Sequence, residues 1–337
     1  MKNIKKYLTS LIVLSTAMVL MACGNGNDNQ ASDSTTSDSN SDMPYIGILQ
    51  LTSHPALDAI SEGIIDELAT AGYIDGETAT IDLQNAQGDQ ANMQSIAERF
   101  IGNDADIMVG IATPAAQALA NASTDIPIIL GAITDPVAAN LVKSLDLPGG
   151  NITGVSDQIP IKEQFDLIMS LLPDIERIGF IYSSSEDNSL SAATEAQTVA
   201  EGLGLEVITK TVNSANDIAQ IAESLAADVD AIWVPTDNTL ATSTPTLIEV
   251  TDAYHIPVFP SVDTMVEEGG LATVGLNQYD IGIQTGAMTV EVLEGADPSE
   301  FPIQFPNKIE TILNPSKAEK LKIVIPEELL KDAIIIE

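Results

Sequence analysis

A chain of 337 residues carrying 49 acidic against 13 basic side chains, a formal charge of −36, repels nucleic acid and anionic membrane surfaces. One cysteine and two histidines leave no disulfide framework and no cluster of metal ligands, and no phosphate-binding Gly-Lys loop or nucleophile elbow is present. Apolar residues at 45% suffice for sizeable cores, and a chain of this length favours two domains. The acid excess fits a salt-adapted surface or an extracellular one.

The N-terminus reads as an export signal. A basic stretch, MKNIKK, precedes YLTSLIVLSTAMVLMA, which is apolar but shorter than the roughly 20 residues of a membrane span. The lone cysteine, Cys23, stands where this leader ends, within Leu20-Met21-Ala22-Cys23. That tetrapeptide resembles the bacterial lipobox, whose cysteine is diacylated before cleavage. An ordinary signal peptide with an incidental cysteine, or an uncleaved anchor, is the alternative. Residues 23–43 are nearly all Gly, Asn, Ser, Asp and Thr, a composition that cannot bury a core and suits a tether. The expectation is a signal peptide over 1–22, a lipid on Cys23 and a flexible segment over 23–43.

After Met43, strands and helices alternate. YIGILQL (45–51) reads as a buried strand, and the next segment has helical spacing at Leu57, Ile60, Ile64 and Leu68. TATIDLQNA, DIMVGIA and IPIILGA read as further strands, with DQANMQSIAERFIG and PAAQALANAS as helices. This order predicts a parallel sheet covered on both faces. The words then recur about 130 positions later: YIGILQ at 45 and RIGFIY at 177, SIAERF at 95 and QIAESL at 220, IMVG at 107 and IWVP at 232, IPIILGAITD at 126 and IPVFPSVDTM at 256. Four matches in one order predict two similar α/β lobes.

Parallel sheets gather ligands at the carboxyl ends of their strands. In the first lobe these junctions read LTSHPALD, GIATPAAQ and GAITDPVA, offering Thr52, Ser53, His54, Thr113, Pro114, Thr134 and Asp135. Each has a capping residue and then a proline (Pro55, Pro114, Pro136), which predicts three capped helix starts and an anion site. Ordinary capping explains each one singly. The matching loops of the second lobe offer Ser184, Ser185, Asn188, Asp237, Asn238, Asp263 and Thr264, a set suited to an ammonium group. Asp237 and Asp263 are equally read as helix caps. An anion cradle facing an acidic cluster fits a zwitterion, of which an α-amino acid is the simplest. His255 reads as an ordinary residue before a buried strand. No catalytic residues and no cofactor are expected.

The leader together with IGILQLTSHPALDAISEGIIDEL, GYIDGETATIDLQNAQGDQANM, GIATPAAQALAN, ITDPVAANLV and GGNITGVSD resembles the ABC transporter substrate-binding proteins of the tryptophan/tyrosine type, over essentially all of the chain after Met43. The resemblance implies a type I periplasmic-binding-protein fold: two doubly wound parallel-sheet lobes, joined by three crossings, with the ligand in the hinge cleft. It implies an aromatic amino acid, tryptophan first, delivered by hinge closure to a permease and its ATPase. It also implies a monomer held on the outer face of the cell membrane by lipid. The aromatic side chain comes from the resemblance alone; its ring would stack on a residue outside these loops, such as Tyr279, or lie against backbone and aliphatic groups. Lobe 1 is expected over 44–154 and 277–307, and lobe 2 over 155–276 and 308–337. Residues near Val155 should form an interlobe strand, SKAEKLKI and PEELLKDA should end the chain on lobe 2, and Asn277 and Asn314 should cap elements at the hinge. A two-lobed receptor for a sugar, a short peptide or another metabolite, or a non-transport sensor or adhesion lipoprotein, would use the same fold.

Overall fold

The computed structural model describes residues 43–306 and 308–336; the leader, Cys23 and nearly all of the tether lie outside the described residues. The first lobe runs β1 (Tyr45–Gln50), α1 (Pro55–Thr70), β2 (Thr80–Asn85), α2 (Gln90–Gly102), β3 (Ile107–Ile111), α3 (Thr113–Ala122), β4 (Ile128–Gly131) and β5 (Ile152–Gly154). The second contains α4 (Ile161–Leu171), β6 (Arg177–Ser183), α5 (Asp187–Gly202), β7 (Glu206–Val212), α6 (Ile218–Ala226), β8 (Ala231–Val234), α7 (Asn238–Ala241), α8 (Thr244–Ala253), β9 (Val258–Pro260) and α9 (Asp263–Glu267). After β10 (Ala272–Gly275) the chain enters α10 (Gln278–Leu293), and it ends with β11 (Glu310–Leu313), α11 (Pro315–Leu321) and β12 (Ile334–Ile335).

The sheet orders are β2-β1-β3-β4-β5 and β7-β6-β8-β9, with every pair parallel. The two lobes therefore share one topology, and all four repeated words fall on equivalent elements. The repetition has a packing cause. Gly47 of β1 leaves room for the Phe100 ring of α2, which a Cβ at Gly47 would meet at 2.6 Å. Gly179 of β6 does the same for Leu225 of α6, at 2.8 Å. Each glycine sits in the first repeated word and its bulky neighbour ends the second. The helix is thus drawn onto the strand in both lobes.

On α1, Leu57, Ile60, Ile64 and Leu68 are all buried, as their spacing predicts. α10 lies against α1 at backbone distance, because a Cβ at Gly282 would stand 2.2 Å from the Ile60 carbonyl oxygen and one at Gly63 would stand 2.4 Å from that of Tyr279. In the second lobe the Trp233 ring of β8 lies 4.9 Å from Phe180 and 5.9 Å from Phe165. Its indole N–H donates to Gln164 Oε1 at 2.9 Å.

The chain passes between the sheets at three places. It leaves β5 through Val155, which bridges to Gln304, and Ser156 N–H donates to the Gln304 carbonyl at 2.9 Å. It returns through Leu276 and Asn277 into α10, and crosses again beyond Gln304 to β11, which pairs antiparallel with β10. Asn277 and Asn314 are the caps of α10 and α11.

One local expectation differs. Only two of the three Pro-led junctions open helices, since residues 136–140 make a turn in which Ala138 N–H donates to Asp135 Oδ1 and Asn140 adopts a φ of 58°. A left-handed residue at that point ends any nascent helix.

Candidate functional site

The carboxyl ends of the two sheets face one another across a narrow cleft. From lobe 1, β1 leads through His54 into α1, β3 through Ala112 into α3, and β4 into Ala132 and Thr134. Pro55 is the first residue of α1 and Pro114 the second of α3, so both helices start without losing a backbone bond. Neither N-cap carries a side-chain cap. Ala112 instead has φ 76° and ψ 153°, and Ala132 has φ 60°. Ala112 occupies a region nearly reserved for glycine, at a cost of about 1–3 kcal/mol. The strained residue and Thr113, the first residue of α3, both line the cleft, and the first N–H groups of a helix have no partner within it.

Lobe 2 presents the α5 start and the β8–α7 loop. Glu186, immediately before α5, is buried and clamps the α7 start: Asn238 Nδ2 donates to it at 2.6 Å, Asn238 N–H at 3.1 Å, and the Thr239 N–H and hydroxyl at 2.9 Å each. Asp237 lines the cleft, but its oxygens accept from Ser183 N–H at 2.6 Å and Leu240 N–H at 2.8 Å. It is the α7 cap. Burial, reinforced by the Glu186 charge, pushes its carboxyl up to about 7.

The crossing after β5 brings Asp157 into the same cleft. Its carboxyl is deeply buried, and burial raises it to about 6 against the pull of the Thr134 hydroxyl. Among the described residues, three buried side-chain atoms have no hydrogen-bond partner: Asp157 Oδ1, His54 Nδ1 and Asn188 Oδ1. All three line this cleft.

The character of each follows from its neighbours. Asn188 Nδ2 donates to the Thr236 carbonyl at 2.8 Å, so Oδ1 is the free end of the amide. Asn238 gives its amide N–H to Glu186 and turns Oδ1 towards His54 Nε2 at 3.2 Å. An amide oxygen only accepts, so Nε2 carries the proton. Burial holds His54 below its ordinary range, which keeps the ring neutral and Nδ1 bare. The three unpartnered atoms are therefore all acceptors, and one belongs to a carboxyl group.

Of the residues singled out in the sequence, the structure brings His54, Thr113, Thr134, Asn188, Asp237 and Asn238 onto the cleft wall. Thr52, Ser53, Pro114, Asp135, Ser184, Ser185 and Asp263 are not on it. Ser53 donates to Asp58, and Ser184 to Asn213. Asp135 accepts from Ser191 of the opposite lobe at 3.1 Å. Asp263 accepts from Thr264 N–H at 2.8 Å and is pushed up to about 6 by burial. Sequence reading missed Asp157 and Gln278; a lone acid between Val155 and Ile159, on a segment expected to cross between lobes, is the signal for the former. Tyr279 stands off the wall, donating to Asp66, and the apolar wall is built from aliphatic side chains such as Leu57, Ile60 and Val262.

The chain matches the family model described as ABC transporter substrate binding protein over residues 45–336. It is 37% identical over 332 residues to the tyrosine-binding protein of Clostridioides difficile, covering 98% of this chain and 95% of that one. A crystal structure of the ABC domain from Streptococcus pneumonia in complex with L-Trp has a TM-score of 0.85 at 46% identity, covering 87% of this chain and 99% of that one. The ligand-free, open structure of a substrate-binding protein with adhesive properties from Clostridium difficile is 36% identical over 87% of this chain and 99% of that one, with a TM-score of 0.68. The fold is that of the type I periplasmic binding proteins.

Proposed function

Because the chain belongs to the family of ABC transporter substrate-binding proteins, we propose that its cleft closes on an aromatic α-amino acid, tryptophan or tyrosine, and hands it to a membrane permease driven by its ATPase. The observation that carries this reading is the buried Asp157 carboxyl on the cleft wall, whose Oδ1 has no hydrogen-bond partner. An ammonium has three N–H donors and a positive charge, and a buried carboxyl beside it becomes an ion partner rather than a desolvated acid. The ligand carboxylate has the N-terminal ends of α3 and α10, where Thr113 and Gln278 line the cleft. A sugar would present hydroxyls that both give and accept, and would leave the charge of Asp157 without a use.

Closure is the working motion. Hydrogen bonds cross the cleft from His54 to Asn238, from Gln117 to Asp187 at 2.9 Å, and from Ser191 to Asp135. The lobes are therefore shut, and ligand contacts made with both lobes at once favour this state over an open one. That the L-Trp complex superposes better than the open, ligand-free neighbour agrees with a shut cleft. The permease reads the outer edges of the closed lobes. Lipid on Cys23 and the segment to residue 43 keep the receptor beside it, on the extracytoplasmic face. Among the described residues no helix is long and apolar enough to cross a membrane.

Calorimetric titration of the purified protein with the twenty amino acids tests the reading. Heat from tryptophan or tyrosine, weakened more than about tenfold in Asp157→Asn, is expected. Silence across all twenty would overturn it.

A further inference from the structure

We infer that His54 is a specificity-determining residue: its bare Nδ1 accepts a hydrogen bond from a ring N–H or O–H on the ligand's side chain. This rests on the amino-acid reading above and adds what the side chain must carry.

His54 and Asp157 reach the cleft from different strands of the first sheet, and so can meet different parts of the ligand. In the first sheet, β1 and β5 are separated by β3 and β4. At a strand spacing of ~4.8 Å they lie about 14 Å apart. His54 follows β1 and Asp157 follows β5. With an ammonium held at Asp157, the unpartnered His54 Nδ1 is left for a hydrogen donor on the ligand's side chain.

The neighbours of His54 say what lies between. Ala56, Leu57 and Ile60 on α1 and Ala241 on α7 make that end of the wall aliphatic. An apolar body with one polar ring atom at its far edge fits this end: an indole or a phenol. The Asn238–Glu186 relay fixes the imidazole as an acceptor towards the ligand, since Nε2–H is committed to Asn238. A ring without a donor leaves Nδ1 buried and unpaired, and sites built to pair a ligand donor reject analogues that lack it.

Matched ligand pairs test this by calorimetry. L-tryptophan is compared with L-3-benzothienylalanine, in which sulfur replaces the ring N–H, and L-tyrosine with L-phenylalanine. In the wild type the donor-bearing member of the binding pair should be at least tenfold tighter. In His54→Leu that ratio should shrink to under threefold. Equal affinity within each pair in the wild-type protein would overturn the inference while leaving the amino-acid reading intact. Binding by none of the four would overturn both. The wild-type comparison stands even where the variant is unstable.

Discussion

His54 and Asn238 are 184 residues apart in the chain and 3.2 Å apart in space, one on each lobe. The bond is buried and closes over the cleft. It also ties the lobes to Glu186, whose carboxylate fixes the direction of the Asn238 amide. A contact made only when the lobes meet shifts the balance between open and shut states.

Removing that amide should open the protein. Asn238→Ala deletes the acceptor for His54 and a donor to Glu186, so the ligand-free variant should show a larger radius of gyration by small-angle scattering. Its affinity for the amino acid should fall about tenfold, because more of the binding energy is spent on closure. A radius equal to that of the wild type would mean that the contact does not bias the lobes.

Binding should depend on pH through Asp157. Its carboxyl is raised to about 6 in the empty cleft, and an ammonium partner would draw it down again. The free protein then holds a proton that the complex does not, below about pH 6. Affinity should therefore be full above pH 7 and weaken by up to about tenfold per pH unit below 6. Asp157→Asn should bind weakly and without this limb. Asp237 and Asp263 titrate in the same region, so the difference between wild type and variant is the quantity to compare.

The same shifts set the stability of the ligand-free protein. Asp157 and Asp263 at about 6 and Asp237 at about 7 all lie above the value of 3.8 for an exposed aspartate. Between those limits the native state binds more protons than the unfolded one, so stability falls as pH rises. The charge of −36 adds repulsion in the same direction. Thermal melting should be highest in mildly acidic buffer and lower at pH 8; a midpoint that rises steadily from pH 5 to 8 would contradict this.

Asp237 should matter to folding rather than to ligand contact. Asp237→Ala removes the α7 cap and leaves Ser183 N–H unpaired, a loss of about 1–3 kcal/mol. Affinity of the folded fraction should change by less than about threefold. Chemical denaturation and calorimetry on one preparation separate the two effects.

The α1–α10 contact should be intolerant of a single methyl. Gly282→Ala places a Cβ 2.2 Å from the Ile60 carbonyl oxygen and should cost at least about 1–3 kcal/mol. Gly102→Ala, at the end of α2 with nothing within 4 Å, is the control and should leave the unfolding midpoint nearly unchanged.

The lobes were legible because their causes are local and periodic. The Gly47–Phe100 and Gly179–Leu225 pairs write the same packing twice, and four word matches followed. The site was legible in half. His54, Thr113 and Thr134 stand where strand ends must gather loops, whereas Asp157 is placed by a crossing that depends on both lobes at once. Asp135 carries the same cap-and-proline pattern as the helix starts, yet Asn140 turns the chain four residues after Pro136; local sequence offered no contrast there. Asp237 and Asn238 share one loop but divide its work, cap against latch, because Glu186 from another loop takes the amide. Chemistry chosen by such distant neighbours has no periodic trace.

The most direct test is a crystal structure grown with whichever amino acid titrates the protein. The account expects the α-ammonium within about 3 Å of Asp157 Oδ1 and the ring among the α1 and α7 aliphatics, with its donor on His54. An ammonium on Asp263, or a ligand outside the cleft, would contradict it.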